Sequence, residues 1–219
     1  MTLRIALVLI GVLLATTGWT QCSESTQNAE ATTFDTPRMY TCTIDMSFAV
    51  TREADDRVHL HLPGETRTAT LVESASGARY DSPSVSYWSH EDEARLVVDG
   101  TSYDSCAKRT AEGPWADAED AGVDVRAAGN EPGWMVTLTH GDSLTALLNY
   151  GMTEHAGPAP DPESLNGATR YRFTVDGAPA TLTVEPTPCH DSMRGDIFPA
   201  TATLIHEELS YPGCAWVFD

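Results

Sequence analysis

The chain has 219 residues and a formal net charge of −19 at pH 7, from 32 Asp and Glu residues against 13 Lys and Arg residues. Lys108 is the single lysine. Nucleic acids and anionic membranes select basic surfaces, so this composition excludes general binding to either. It favours a basic partner; the alternative is an acidic surface that keeps the protein soluble in concentrated salt.

Residues 1–22 have the features of an export signal. Arg4 provides a positive start, an apolar run spans 5–14, and small residues follow at 15–18. An apolar run of this length would form a helix of about 15 Å, roughly half the thickness of a bilayer core. We therefore predict a signal peptide rather than a transmembrane helix, and an exported protein.

Cys22 lies directly after this segment, where bacterial lipoproteins have an acylated cysteine. Gln21 departs from the small residue that normally precedes that cysteine, so cleavage after Gly18 is the alternative. The protein is then either a periplasmic or outer-membrane lipoprotein anchored through Cys22, or a protein free in the periplasm or secreted. Residues 23–37, rich in polar residues without apolar periodicity, predict a disordered tether.

Residues 38–110 predict a small all-β domain. Apolar and polar residues alternate strictly in Arg57–Leu62, and Pro63 with Gly64 marks a turn. Further strand-like runs lie at 41–50, 66–72, 84–89 and 94–98. Short strands separated by turns about every 8 to 12 residues are typical of an antiparallel meander that closes into a barrel.

The remaining cysteines fall into two groups, one on each side of an acidic, turn-rich stretch at 111–122 that we predict to be a linker. In an exported chain, an even number of cysteines favours disulfides. Each pair brackets one series of strand signals, so we predict no bridge between the two sides. The predicted disulfides are Cys42–Cys106 and Cys189–Cys214.

A loop motif and a strand motif lie between Cys42 and Cys106. The run Ser74-Ala75-Ser76-Gly77-Ala78-Arg79-Tyr80 is followed by Trp88-Ser89-His90 and then by Glu93-Ala94. Over roughly residues 38–108, this combination resembles the family of membrane-bound inhibitors of c-type lysozyme (MliC). The resemblance implies a small antiparallel barrel, a c-type lysozyme, which is a strongly basic enzyme, as the partner, a location in the cell envelope, no enzymatic activity and no cofactor.

The resemblance also implies which residues contact the lysozyme. In the family, a Ser and a Lys on neighbouring loops enter the active-site cleft, and their positions correspond here to Ser76 and His90. His90 departs from the family's Lys, and Arg79 is the nearest alternative cation. The full set of predicted lysozyme-binding residues is Ser76, Gly77, Arg79, Tyr80, Ser89 and His90. We expect Tyr80, Tyr87 and Trp88 to pack in the barrel core, where the aromatic residues of small barrels usually lie.

Residues 123–219 predict a second β-rich barrel or sandwich, with Asp176 and Gly177 as a hairpin turn. The run Gly129-Asn130-Glu131-Pro132-Gly133-Trp134 resembles a motif of a poorly characterised periplasmic domain of bacterial lipoproteins. Trp134 is either a core residue beside a turn or part of a ligand groove. The alternative function is therefore a cell-envelope lipoprotein that binds peptidoglycan or a small ligand through this second domain.

The sequence contains no pattern that indicates an enzyme, and we predict no catalytic residue. Ser76 lacks the Gly-x-Ser-x-Gly pattern of one large class of hydrolases. His59 and His61 share one strand face but have no recognisable third ligand nearby, so we predict a polar face rather than a metal site.

Overall fold

The computed structural model describes residues 37–43, 46–53 and 56–218. The predicted signal peptide at 1–22, the predicted lipidation site Cys22 and residues 23–36 of the predicted tether lie outside the described residues. The described part is almost entirely β-structure, which confirms the predicted all-β fold class.

Eight consecutive strands form a closed antiparallel barrel. They are β1 Arg38–Thr41, β2 Ser47–Glu53, β3 Arg57–Leu62, β4 Glu65–Val72, β5 Ala78–Asp81, β6 Val85–His90, β7 Glu93–Val98 and β8 Thr101–Lys108. Each strand is hydrogen-bonded to its neighbour in the chain, and β1 closes the barrel against β8. The predicted small antiparallel barrel is confirmed.

Alternation along the strands decides which side chains fill the barrel. In β3, every second residue is buried and the residues between are not, as expected for a strand with one face on a core. Four aromatic rings pack against one another in the interior: Tyr40, Phe48, Tyr80 and Tyr87. Burial raises the pKa of the Tyr87 hydroxyl, which donates a hydrogen bond of 3.2 Å to the hydroxyl of Tyr40.

Trp88 does not share this interior position. Adjacent residues on a strand point to opposite faces, and Tyr87 points inward, so Trp88 lies half-buried on the outer surface of the barrel. The prediction that Trp88 packs in the core was wrong, whereas it was correct for Tyr80 and Tyr87.

Both predicted disulfides are present, Cys42–Cys106 in the barrel and Cys189–Cys214 in the following β-structure. Cys42 and Cys106 are 64 positions apart and connect the region after β1 to β8. In the chain-entropy account, closing a loop of this length stabilises the folded state by about 4 kcal/mol.

After the barrel, nine strands form one curled antiparallel sheet. They are β9 Val125–Asn130, β10 Gly133–Thr139, β11 Ser143–Leu148, β12 Thr153–Pro158, β13 Glu163–Leu165, β14 Ala168–Val175, β15 Ala178–Glu185, β18 Ala200–His206 and β19 Leu209–Val217. Their spatial order is β12-β11-β10-β9-β19-β18-β15-β14-β13. The two remaining strands, β16 Cys189–His190 and β17 Ile197–Phe198, pair with each other.

The motif around Trp134 has a structural role in this sheet. Trp134 is buried, and its indole N–H donates to the carbonyl oxygen of Pro212 at 3.1 Å. A Cβ at Gly129 would clash with that carbonyl and with the Trp134 ring, so glycine makes room for the indole. Of the two alternatives for Trp134, the core residue is the correct one.

The stretch predicted to be a linker contains the helix α1, Pro114–Asp120. Proline is favoured in the first turn of a helix, where its missing N–H would have no partner. Trp115 of α1 packs on Phe198, with ring centroids 4.8 Å apart. Among the helices within the described ranges, none is long and apolar enough to cross a membrane.

The barrel and the later β-structure contact each other through a small apolar cluster in which Met39 and Ala49 meet Ile197. Next to it, Arg109 Nη1 donates to Asp196 Oδ1 at 2.9 Å. The division into domains at 38–110 and 123–219, with a linker at 111–122, stays a prediction.

Candidate functional site

Two chain connections meet at one end of the barrel. They comprise residues 73–77, between β4 and β5, and residues 90–92, at the β6–β7 turn; we call them the loop rim. In the pairing of β5 with β6, Ala78 is opposite Ser89, which places Gly77 next to His90. Gly77 has a φ of 67°, and a Cβ there would clash with the carbonyl oxygen of Ser89. Glycine is therefore required for the two connections to approach this closely.

At Ser76 the backbone is held by hydrogen bonds, whereas the hydroxyl has no partner within residues 37–43, 46–53 and 56–218. The carbonyl oxygen of Ser76 accepts hydrogen bonds from Ser74 Oγ at 2.7 Å and from the Trp88 indole N–H at 2.9 Å. Ser76 is exposed, and its hydroxyl makes no hydrogen bond to any residue that the structure describes. A hydroxyl on a fixed backbone is preorganised to bond a partner.

His90 lies on the outer surface beside this loop. Its ring stacks on that of Trp88, with centroids 5.9 Å apart and planes inclined by 6°. His90 is exposed, and its ring nitrogens have no hydrogen-bond partner within the described part of the chain. Ser76 and His90 are thus two exposed polar side chains at the same end of the barrel, each with unused hydrogen-bonding capacity.

The six residues predicted to bind lysozyme fall into two groups by burial. Four are exposed, namely Ser76, Gly77, Arg79 and His90. Tyr80 and Ser89 face the barrel interior and are only 6% and 7% exposed. The involvement of all six in binding stays a prediction.

Arg79 is already engaged by a carboxylate. Its guanidinium contacts Asp81 at 3.1 Å, and the hydroxyl of Ser86 donates to the same carboxylate at 2.6 Å. The hydrogen bond from Ser86, together with Arg79, lowers the pKa of Asp81. The charge of Arg79 is therefore partly neutralised, which weakens it as a substitute for the family's Lys.

Lys108, at the end of β8, lies beside the loop rim and was not predicted from the sequence to be part of the site. Its backbone N–H donates to the carbonyl oxygen of Asp92 at 2.7 Å, and its Nζ lies 3.5 Å from Asp92 Oδ1. The single lysine therefore lies beside the β6–β7 turn, the part of the fold where the family has its Lys and this chain has His90. No local pattern could have indicated this, because Lys108 reaches the turn only through the pairing of β7 with β8.

The histidines on β3 have ordinary polar partners. His59 lies 3.2 Å from Glu53 and 3.1 Å from the hydroxyl of Thr68, and His61 lies 2.9 Å from the hydroxyl of Thr51. Throughout residues 37–43, 46–53 and 56–218, no cluster of three His, Cys, Asp or Glu residues is arranged to hold a metal ion.

The fold is a small, disulfide-bridged β-barrel with two exposed connections that meet at one end. Residues 40–105 match the family model described as MliC, the membrane-bound lysozyme-inhibitor of c-type lysozyme. The match confirms the family resemblance seen in the sequence, and it covers less than half of the chain. No curated protein and no solved structure matches the chain.

Proposed function

We propose that this protein inhibits a c-type lysozyme by placing the loop rim in the active-site cleft of the enzyme. The family match supports the class of partner, and with it a non-catalytic role in the cell envelope. The observation that supports the site is the exposed hydroxyl of Ser76, which has no partner among the described residues, on a backbone fixed by two hydrogen bonds.

The chemistry of the target explains why such a rim is suitable. Glycosidases of this type act through two carboxyl groups that flank the scissile bond, one as the acid and one ionised. The hydroxyl of Ser76 donates to one of these groups, and Gly77 keeps the loop narrow. A cation beside it then balances the ionised carboxylate.

Two residues supply that cation in our proposal. His90 presents an exposed imidazole next to Gly77, and it is cationic only when protonated. Lys108 lies on the other side of the β6–β7 turn, and its ammonium group is 3.5 Å from Asp92, a longer contact than the 3.1 Å between Arg79 and Asp81. The two together replace the single Lys of the family.

The overall charge supports the same partner. The net charge of −19 complements a basic enzyme, because opposite net charges accelerate the encounter of two proteins. The anchoring of the protein through Cys22 and a ligand for residues 123–219 stay predictions.

Lysis of cell-wall substrate by a c-type lysozyme, measured with increasing amounts of the intact protein, tests the proposal. We expect inhibition by wild type, and weaker binding by about 1–3 kcal/mol in Ser76→Ala, because a buried catalytic carboxyl group then loses its donor.

Ser84→Ala is the matched control for this substitution. Ser84 is also an exposed loop serine, but it lies between β5 and β6, at the opposite end of the barrel. We expect Ser84→Ala to inhibit like wild type. Absence of inhibition by wild type would contradict the function, and equal inhibition by Ser76→Ala and wild type would contradict the site.

A further inference from the structure

A groove on the outer face of the barrel begins at Ser74 of the loop rim and runs away from it across the strands. It crosses β5 to β8, has a volume of about 400 Å³, and is open to solvent. Its lining is a mixture of one aromatic ring, charged groups and hydroxyls: Ser74, Arg79, Ser86, Trp88, Arg95, Val97, Ser102 and Asp104.

The centre of the groove is a row of three side chains on neighbouring strands. Arg79 of β5 is opposite Trp88 of β6, and Trp88 is opposite Arg95 of β7. The guanidinium carbon of Arg95 lies 6.0 Å from the centre of the Trp88 ring. Trp88 thus has an arginine on each neighbouring strand, and the guanidinium of Arg95 lies over its ring.

The indole is held in place by groups outside the groove. Its N–H donates to the carbonyl oxygen of Ser76, and His90 stacks on the ring without lining the groove. Trp88, half-buried on the outer face of the barrel, is therefore a fixed apolar platform, an unusual feature because an indole normally gains more by packing in a core.

The charge of the groove differs from that of the chain. Its charged lining residues are Arg79, Arg95 and Asp104, and Asp81 is paired with Arg79, so the charges in and beside the groove balance although the chain has a net charge of −19. Arg95 is 69% exposed and only 3.7 Å from Asp104, which leaves most of its hydrogen-bond donors for a ligand.

From these features we infer that the groove binds a saccharide that carries a carboxylate. The apolar C–H face of a sugar ring fits the Trp88 platform, and hydroxyls of the sugar fit Ser86, Ser102 and Asp104. The carboxylate pairs with Arg95, since guanidinium groups recognise carboxylates through two parallel hydrogen bonds, and Arg79 is already paired with Asp81.

The test uses the intact protein, in which the indole N–H resonance of Trp88 is identified by its loss in Trp88→Phe. Three probes are titrated to about 20 mM, since single sugars bind weakly. N-acetylmuramic acid has both the sugar ring and a carboxylate, N-acetylglucosamine has the ring alone, and lactate has the carboxylate alone. We expect a saturable shift of the Trp88 resonance with N-acetylmuramic acid, and much smaller shifts with the other two.

Arg95→Gln should weaken the binding of N-acetylmuramic acid by about three- to fivefold, the size expected for a solvent-exposed charge pair. Arg57→Gln is the control, because Arg57 is also an exposed, ion-paired arginine of the barrel but lies on β3, away from the groove. It should bind like wild type.

Three outcomes would overturn the inference. They are no saturable shift with N-acetylmuramic acid, equal binding of N-acetylglucosamine, or equal effects of Arg95→Gln and Arg57→Gln. If no sugar binds but Arg95→Gln weakens lysozyme binding, the groove belongs to the protein–protein interface instead. The lysis assay with Ser76→Ala tests the inhibitory function independently of these results.

Discussion

Ser76 illustrates how one residue is prepared for binding by its neighbours. Its carbonyl oxygen has two donors within the barrel, whereas its hydroxyl has none among the described residues. Loop ordering is a cost of association, and here the two hydrogen bonds have reduced that cost before the partner arrives. The adjacent His90 is the residue at which this chain departs from the family pattern.

At His90, we predict that inhibition depends on pH in a way that a lysine would not. Binding should tighten as the pH falls from 8 to 6, because the protonated imidazole is favoured beside carboxyl groups. His90→Lys should bind more tightly than wild type at pH 8 and should lose much of this slope. Affinities for the lysozyme measured between pH 5.5 and 8 provide the check.

His90→Gln is the control for that series, because glutamine keeps hydrogen-bonding capacity without a titrating charge. The titrating groups of the lysozyme itself are common to all variants, so only the differences between slopes count. Identical slopes for His, Lys and Gln at position 90 would contradict a charged role for His90.

At the scale of elements, the approach of the β4–β5 loop to β6 depends on Gly77. Gly77→Ala should reduce both stability and inhibition, because alanine adds a clash with the Ser89 carbonyl to the strain of a positive φ. We expect a loss of about 1–3 kcal/mol in the free energy of unfolding beyond that of the control. Denaturant titration and the lysis assay are the two measurements.

The control is Gly64→Ala, in the β3–β4 turn. Gly64 has a φ of 81°, but a Cβ there would meet nothing within 4 Å. This substitution should cost only the conformational strain of about 1 kcal/mol and should leave inhibition unchanged. Equal effects of the two substitutions would show that the close approach at Gly77 is unimportant.

A second prediction at this scale concerns the outer face of β3. Burial, together with the charges of His59 and His190, lowers the pKa of His61. As the pH falls below about 6.5, the unfolded chain therefore takes up a proton at this position before the folded chain does. The free energy of unfolding should decrease from pH 7.5 to 5.5, and the decrease should be smaller in His61→Gln.

Denaturant titrations of wild type and His61→Gln at the two pH values measure this effect. The groups that face His61 are the hydroxyls of Thr51 and Thr66 and the rings of His59 and His190, and all of them are kept in the variant. The carboxyl groups with lowered pKa, such as Asp81, titrate well below this window. A variant with the same pH dependence as wild type would contradict the prediction.

For the whole molecule, the question is whether the charge of −19 serves the encounter with a basic enzyme or solubility in salt. If it serves the encounter, the association rate constant for lysozyme should fall by about tenfold or more between low salt and 1 M salt. The dissociation rate constant should change little. Surface-based binding kinetics at several salt concentrations measure both rates. Association rates that do not depend on salt would assign the charge to solubility.

Much of the barrel was predictable from the sequence, because its determinants are local. Alternation of apolar and polar residues in Arg57–Leu62, with a turn after it, is sufficient to predict a strand with one buried face. The disulfides could be predicted for a similar reason, since each cysteine pair brackets one series of strands. The family motifs also indicated Ser76 and His90, which the fold brings to one end of the barrel.

The tertiary structure alone decided which face each motif residue occupies and what lies beside it. Tyr87 and Trp88 are adjacent aromatic residues that must point to opposite faces, and the sequence does not say which one points inward. In the folded barrel Tyr87 points inward and Trp88 outward. The pairing of β6 with β5 and β7 then places Trp88 between Arg79 and Arg95. In the same way, Lys108 lies beside the β6–β7 turn only because β8 pairs with β7. Pairing between strands distant in the chain is a property of the closed barrel, so no local pattern contains it.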